Sequence, residues 1–213
     1  MPRAAASDDS KDSRESILRA ALKSFAEKGY DGSSTREIAT QAGVNQGLIP
    51  YYFGGKLKLW QAAVDLAFGD LAHGLEVALA DSDTTNERDR TALLLRNYVH
   101  FVARNPEFVR LMHEEGKRRG PRMRWLVDRH VKPMYDAVKA LMARIQARGA
   151  LPPDIDPIHF HYLLAGAVGL IFHQAEECKR LSGIDPFDDA VVEEQARVVE
   201  YLFLGPPIEE SPA

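Results

Sequence analysis

Apolar side chains recur along this chain at three- and four-residue spacing and nowhere alternate, so the ordered segments read as helices. Ile17, Leu18, Ala21, Leu22 and Phe25 form one such stripe, on a helix that Gly29 is placed to end. Ser34 then opens a short helix; Glu37 stands three residues on, the capping-box spacing, and Ile38, Ala39 and Ala42 form the inner side. Gly43 breaks that helix, Val44 fills the turn, and Asn45 is positioned to cap a second short helix over residues 46–52, closed by Gly54 and Gly55.

The remaining pattern predicts long helices with clear stops. One runs over 56–80 and ends in a polar loop at 81–86. Thr84 with Glu87 caps the next, to 104, and Pro106 restarts the chain at a first helical position, where its missing N–H costs nothing. Gly120 and Pro121 end that piece. A helix to about 148 follows, kinked at Pro133; Gly149, Pro152 and Pro153 close it. Two more helices span 156–181 and 186–204. The predicted fold is all-α, with about nine helices: a disordered tail over 1–11, a three-helix helix-turn-helix domain over 12–58, a helical domain over 59–205 and a tail over 206–213.

Composition narrows the class. Of the 213 residues, 45% are hydrophobic and 27% charged, an ordinary globular balance. The lone Cys178 allows no internal disulfide and points to a reducing, cytoplasmic setting. The N-terminal residues lack the apolar run of a signal peptide, and the longest apolar stretch, 162–172, is shorter than the roughly 20 residues that cross a bilayer, so no membrane partner is expected. The net charge of −4 looks wrong for a nucleic-acid binder until it is divided: residues 11–60 hold eight Lys/Arg against five Asp/Glu, and residues 61–213 hold 18 against 24. A basic front on an acidic body suits a protein whose first fifty residues face phosphate.

Two short helices joined by a glycine turn, the second polar on its outer side, make a unit that fits the DNA major groove. Leu48, Ile49 and Phe53 pack inward, which leaves Gln46 to bond a base edge and Gly47 to permit close backbone approach. Tyr51, Tyr52 and Lys56 suit phosphates, as do Ser34, Thr35 and Arg36 at a helix start whose free amides attract anions. Asn45 completes this DNA-facing set. Pro50 has no N–H with which to read a base, and the sequence places it where it removes one helical bond.

Residues 17–59, ILRAALKSFAEKGYDGSSTREIATQAGVNQGLIPYYFGGKLKL, resemble the DNA-binding domain of the TetR (tetracycline-repressor-like) family of transcriptional regulators. The shared features are ILxAALxxFAExGYxG, then TxxIAxxAGV, xxGLIxYYF and GxK, in order and at the right spacing. The resemblance implies that Thr35, Gln46, Gly47, Tyr51, Tyr52 and Lys56 face DNA, and that the chain is a ligand-responsive repressor binding a palindromic operator as a homodimer. Pro50 departs from the aromatic residue usual there, and Leu57 from the usual Glu.

The helical body fits the family's effector-binding and dimerisation domain by architecture. Residues 160–172 are apolar around the whole helix, so more than one side must be covered. Ala165, Gly166 and Gly169 offer a flat face for close helix approach, and Val192, Ala196, Val199 and Phe203 a second apolar stripe; together they resemble the family's four-helix dimer interface. Phe101, Phe108, Met112, His113 and Trp125, with Tyr135, Tyr162, Phe172 and His173, are the residues from which a small-molecule pocket is expected. The basic run Lys117, Arg118, Arg119, Arg122 and Arg124 reads as solvated surface, with guiding an anionic effector or holding the N-terminal head against the helical body as the alternatives. His159 and His161, two apart on a helix, point in different directions, so no metal is expected, and no cofactor fingerprint occurs. A regulator without a small-molecule ligand, controlled by a protein partner, is the alternative. A helical enzyme using His113, Glu114 and Glu115 is a remote one.

Overall fold

The computed structural model describes residues 5–80, 86–147 and 153–206. Their regular elements are α1 (Ala5–Gly32), α2 (Thr35–Gln41), α3 (Leu48–Phe53), α4 (Lys56–Ala80), α5 (Glu87–Arg104), α6 (Pro106–Gly116), α7 (Pro121–Leu126), α8 (Lys132–Ala147), α9 (Pro157–His173), α10 (Ala175–Ser182) and α11 (Asp189–Leu204). The all-α class is as expected, and two expected helices are divided. A π-helical turn, Val127–Val131, separates α7 from α8. There the Lys132 amide bonds back to the Val127 carbonyl, directly before Pro133, whose missing N–H interrupts the ladder. At Gln174 (φ −104°, ψ 37°) the backbone leaves helical geometry between α9 and α10.

Other boundaries shift. α1 begins at Ala5, so residues 5–11 of the expected disordered tail are helical, in keeping with the high helix propensity of alanine at 5 and 6. Residues 1–4 lie outside the described residues, as do 207–213 of the expected C-terminal tail, most of the 81–86 loop, and Thr84. Asn86 takes the capping role instead, its side chain accepting the Arg88 amide at 2.8 Å. α1 leaves helical geometry at Gly29 (φ 70°), where glycine was expected to end it, but a further turn carries it to Gly32. The buried Ser33 hydroxyl donates to the Gly29 carbonyl at 2.8 Å and accepts from Ser24 at 2.9 Å, which satisfies the groups that the break exposes.

The described chain forms two compact units, and they do not divide at residue 58. The first runs through Asp70 and takes in Glu107–Arg124; the second holds Leu71–Pro106 and the chain from Trp125. In the first, Ile17, Phe25, Ile38, Ile49, Leu59, Trp60 and Val64 are almost fully buried, with Leu111 of α6. Phe108 meets Phe68 edge-on at 5.0 Å. Arg118 pairs with Asp31 at 2.7 Å, and the Arg122 guanidinium lies 3.9 Å from the centre of the Tyr30 ring. Two members of the basic run therefore clamp α6 and α7 onto the end of α1.

In the second unit α11 packs on α5, and α9 packs on α5, α8 and α11. Val99, Val102, Val168, Phe172, Ala196 and Val199 form its fully buried centre. Ion pairs border it: Arg96 with Glu193 and Glu200, and His100 with Glu193 at 2.9 Å. Arg88 reaches the end of α11 and donates to the Gly205 and Pro206 carbonyls, both at 2.8 Å.

Gly43 joins α2 to α3 in the left-handed region (φ 69°), and a Cβ there would meet no atom within 4 Å. Backbone strain is therefore the whole cost of a side chain at this position. Gly43→Ala is expected to lower stability by about 1–2 kcal/mol with an unchanged denaturant m-value, measured by urea unfolding.

Candidate functional site

The α2–turn–α3 segment is built by local hydrogen bonds. Ser34 caps α2 by accepting the Glu37 amide at 3.1 Å. The reciprocal half of the expected box is absent: the Glu37 carboxylate accepts from Lys28 at 3.0 Å instead, which ties α2 to α1. Asn45 accepts the Gly47 amide at 2.8 Å, and its carbonyl accepts the Leu48 amide at 3.0 Å. The helix was expected to start at residue 46 directly after Asn45; it starts at Leu48 with Gly47 as its N-cap, and Asn45 braces the turn that leads into it. A Cβ on Gly47 would stand 3.1 Å from the Asn45 oxygen, so a side chain there would crowd the cap.

That later start changes the reading of Pro50. It occupies the third position of α3, and the first i→i−4 bond of the helix comes from the next residue, Tyr51 N to Gly47 O at 3.4 Å. The three amides before that bond have no intrahelical acceptor in any α-helix, so Pro50 sacrifices nothing. Ile49 and Phe53 are buried and Leu48 is half-buried, which fixes the outward face. On that face Gln46, Gly47 and Pro50 are exposed, and Tyr51 stands 78% exposed with its ring edge-on to Tyr52 at 5.0 Å. Ser34, Arg36 and Asn45 are exposed, and Thr35 and Tyr52 half-exposed. Lys56 is placed differently from the others: its ammonium lies 4.6 Å from the centre of the Tyr30 ring, a cation–π contact within the unit.

The second unit contains a cavity of about 410 Å³, within the usual range for small-molecule sites. α4 contributes Leu71, Leu75 and Leu79, one helical stripe, while α5, α8 and α9 supply Leu94, Leu95, Val138, Leu141 and Leu164. Its polar groups are few. Glu87 and Arg144, ion-paired at 2.5 Å, line it with Arg90, and Tyr98 and His161 line it from α5 and α9. Burial pushes the Tyr98 hydroxyl up to about 12 and the His161 imidazole below its ordinary value, so both are neutral at pH 7.

None of the nine residues expected to form a pocket lines this cavity. Phe108 packs on Phe68 and His113 bonds the Val109 carbonyl at 2.9 Å; these two and Met112 belong to the first unit. Trp125 meets His130 edge-on, Phe172 is fully buried near Phe187, and Tyr162 is 69% exposed. Phe101 and His173 are partly buried elsewhere in the second unit, and the Tyr135 ring meets that of the lining residue His161 edge-on. The missed signal was the leucine stripe at 71, 75 and 79, with Tyr98 four residues beyond Leu94. The triad of the enzyme alternative diverges: Glu114 pairs with Lys117, whereas Glu115 is 1% exposed and lies 3.4 Å from Arg122. Among the described residues, no three His, Cys, Asp or Glu side chains converge as metal ligands would, and no helix is long and apolar enough to cross a membrane.

The residues expected at a dimer face are mostly covered within the chain. Val192, Ala196 and Val199 are core, Gly169 is buried, Ala165 lines the cavity and Phe203 meets Phe160 edge-on at 5.1 Å. Only Gly166 of the expected set is exposed. The open apolar surface lies around it instead, with Leu163 and Leu170 on α9 and Val198 and Leu202 on α11. Gln195 donates to the Ala167 carbonyl at 2.6 Å and holds the two helices side by side.

Residues 17–63 match the profile of bacterial regulatory proteins of the tetR family, and residues 88–200 match a tetracycline-repressor-like C-terminal domain. The chain is 31% identical to the HTH-type transcriptional repressor NicS of Pseudomonas putida over 159 residues, covering 71% of this chain and 72% of that protein. It is 26% identical over 195 residues to the HTH-type transcriptional regulator RutR of Escherichia coli, covering 90% and 88%. Among solved structures, the transcriptional regulator FadR of Bacillus subtilis, in complex with stearoyl-CoA, superposes with a TM-score of 0.66 at 19% identity, covering 90% of this chain and 98% of that one.

The Asn45 cap gives a direct test of how α3 is held. Asn45→Ala removes the acceptor of the Gly47 amide and is expected to cost about 1 kcal/mol. Amide exchange at Gly47 and Leu48 should accelerate while exchange in α5 and α11 stays unchanged.

Proposed function

Because this chain belongs to the TetR family of bacterial transcriptional regulators, we propose that it is a repressor that binds a palindromic operator as a homodimer, its DNA affinity altered by a small molecule held in the cavity of the second unit. The observation that carries the DNA-binding half is the outer side of the turn and of α3: Gln46 and Gly47 stand exposed in the turn and Tyr51 on the helix, whose other side, Ile49 and Phe53, is buried. Gln46 reads a base edge, and Gly47 lets the backbone approach. Ser34, Thr35, Arg36, Tyr51 and Tyr52 fix the register on phosphate, with Asn45 holding the start of α3 and Lys56 beside them on Tyr30. The protein then works in the cytoplasm, beside the chromosome.

Two further observations support the rest. Exposed Leu163, Leu170, Val198 and Leu202 on adjacent helices suit a four-helix contact with a second copy, which would set two copies of α3 against half-sites about one DNA turn apart. The apolar cavity favours a small-molecule effector over control by a protein partner alone. The B. subtilis fold neighbour was solved with stearoyl-CoA bound, which is in line with an effector in this class of helical body.

Fluorescence anisotropy with the DNA upstream of the protein's own gene, across a salt series, tests the central claim. Arg36→Ala is expected to weaken binding to all duplexes alike and to reduce the slope of log K against log salt by about one, while Gln46→Ala changes which duplex is preferred. Salt-independent or absent binding by the wild type would refute it. For the dimer, Leu163→Glu with Leu202→Glu should give a monomer by light scattering that keeps the wild-type helical circular dichroism; an unchanged mass removes this face from the interface.

A further inference from the structure

The cavity has two polar ends separated by an apolar wall. Along α5 the lining runs from Glu87 to Tyr98, and along α8 from Arg144 back to Met134, each roughly 15 Å at helical rise. The Glu87–Arg144 ion pair places those two residues at the same end. His161 belongs to the other, because its ring lies 5.5 Å from that of Tyr135, next to Met134. Between the ends the wall is Leu71, Leu75, Leu79, Leu94, Val138 and Leu141.

Each end holds unused bonding capacity. Glu87 is the single acidic group among the lining residues, and it is committed to Arg144. Arg90, one turn along α5 from Glu87, has no side-chain partner among the described residues, so this end carries a surplus positive charge. At the other end neither the Tyr98 hydroxyl nor the His161 imidazole hydrogen-bonds another described residue. A plain alkyl group pressed against them would strip their water and return nothing. Both stay neutral at pH 7, since burial alone shifts them and no opposite charge compensates, so the complement is an uncharged hydroxyl or carbonyl.

We infer that the cavity takes a two-ended organic acid: a carboxylate at Arg90, an elongated apolar body along the leucine wall, and an uncharged hydrogen-bonding group meeting Tyr98 and His161. This inference rests on the reading of the cavity as the effector site. It names the ligand by its chemistry, and the acid end and the distal end can each be tested separately.

The probes are 10-hydroxydecanoate, decanoate and 1,10-decanediol, which share one chain length, titrated calorimetrically into the full-length protein and into its complex with operator DNA. The hydroxy acid is expected to bind about tenfold tighter than either of the others, the worth of one well-made hydrogen bond or ion pair. Tyr98→Phe, which keeps the ring and the fold, should reduce the hydroxy acid to the level of decanoate and leave decanoate unchanged. Arg90→Ala, at an exposed position, should reduce it to the level of the diol. Decanoate or the diol binding as tightly as the hydroxy acid overturns the inference while leaving the cavity an effector site. If none of the three binds, and 1-anilinonaphthalene-8-sulfonate gains no fluorescence on addition, the effector reading falls with it.

Discussion

The first unit depends on Arg122. The chain leaves this unit after Asp70 and returns at Glu107, so the returning segment must be fastened to helices that precede it by forty residues or more. Arg122 does this from two sides: its guanidinium stacks on Tyr30 of α1, and its Nε faces the carboxylate of Glu115, which is almost wholly buried. A carboxylate removed from water is tolerated only with a cation beside it, so Glu115 and Arg122 hold each other in place. A planar guanidinium can cover an aromatic face and meet a carboxylate at once; an ammonium cannot do both. Tyr30 is also packed by Phe25 and Trp60 and approached by Lys56, so one ring gathers α1, α4 and α7.

In the second unit one helix serves three environments. α9 gives Val168 and Phe172 to the core, His161 and Leu164 to the cavity, and Leu163 and Leu170 to the open surface. An all-round apolar sequence suits a helix that serves core and cavity on two sides and carries Leu163 and Leu170 on its third. Small residues there do different work: Ala165 leaves room in the cavity, and Gly166 keeps the outer face low.

This division explains what could be read from the sequence. The helix-turn-helix was legible because its signals are local: Ser34, Gly43, Asn45 and Gly54 each act within four residues, and the alternation of buried Ile49 and exposed Tyr51 follows from helical period alone. Which residues of 160–172 face outward was not legible, because a helix apolar on all sides carries no phase, so nothing there says that Leu163 rather than Gly169 points out. The cavity was missed for a different reason. Its walls come from four helices brought together by tertiary packing, and aromatic residues, which draw attention in a sequence, were used here mostly to fill core, as Phe108 and Phe172 show. Likewise nothing in the basic run from Lys117 to Arg124 says which of its readings holds, because Asp31 and Tyr30, which meet Arg118 and Arg122, stand about ninety residues away in the sequence.

Pro50 bears on the entropy of recognition. A helix of six residues is far below the length that persists alone in water. Here proline presets one backbone angle at no cost in hydrogen bonds, Asn45 fastens the entry, and Gly54, in the left-handed region, returns its amide to the Pro50 carbonyl at 2.9 Å. Fewer conformations are left to lose in the unfolded chain, and fewer still in the folded one. A surface already ordered before contact loses little freedom on meeting a partner, so α3 presents a rigid face rather than a segment that folds upon binding.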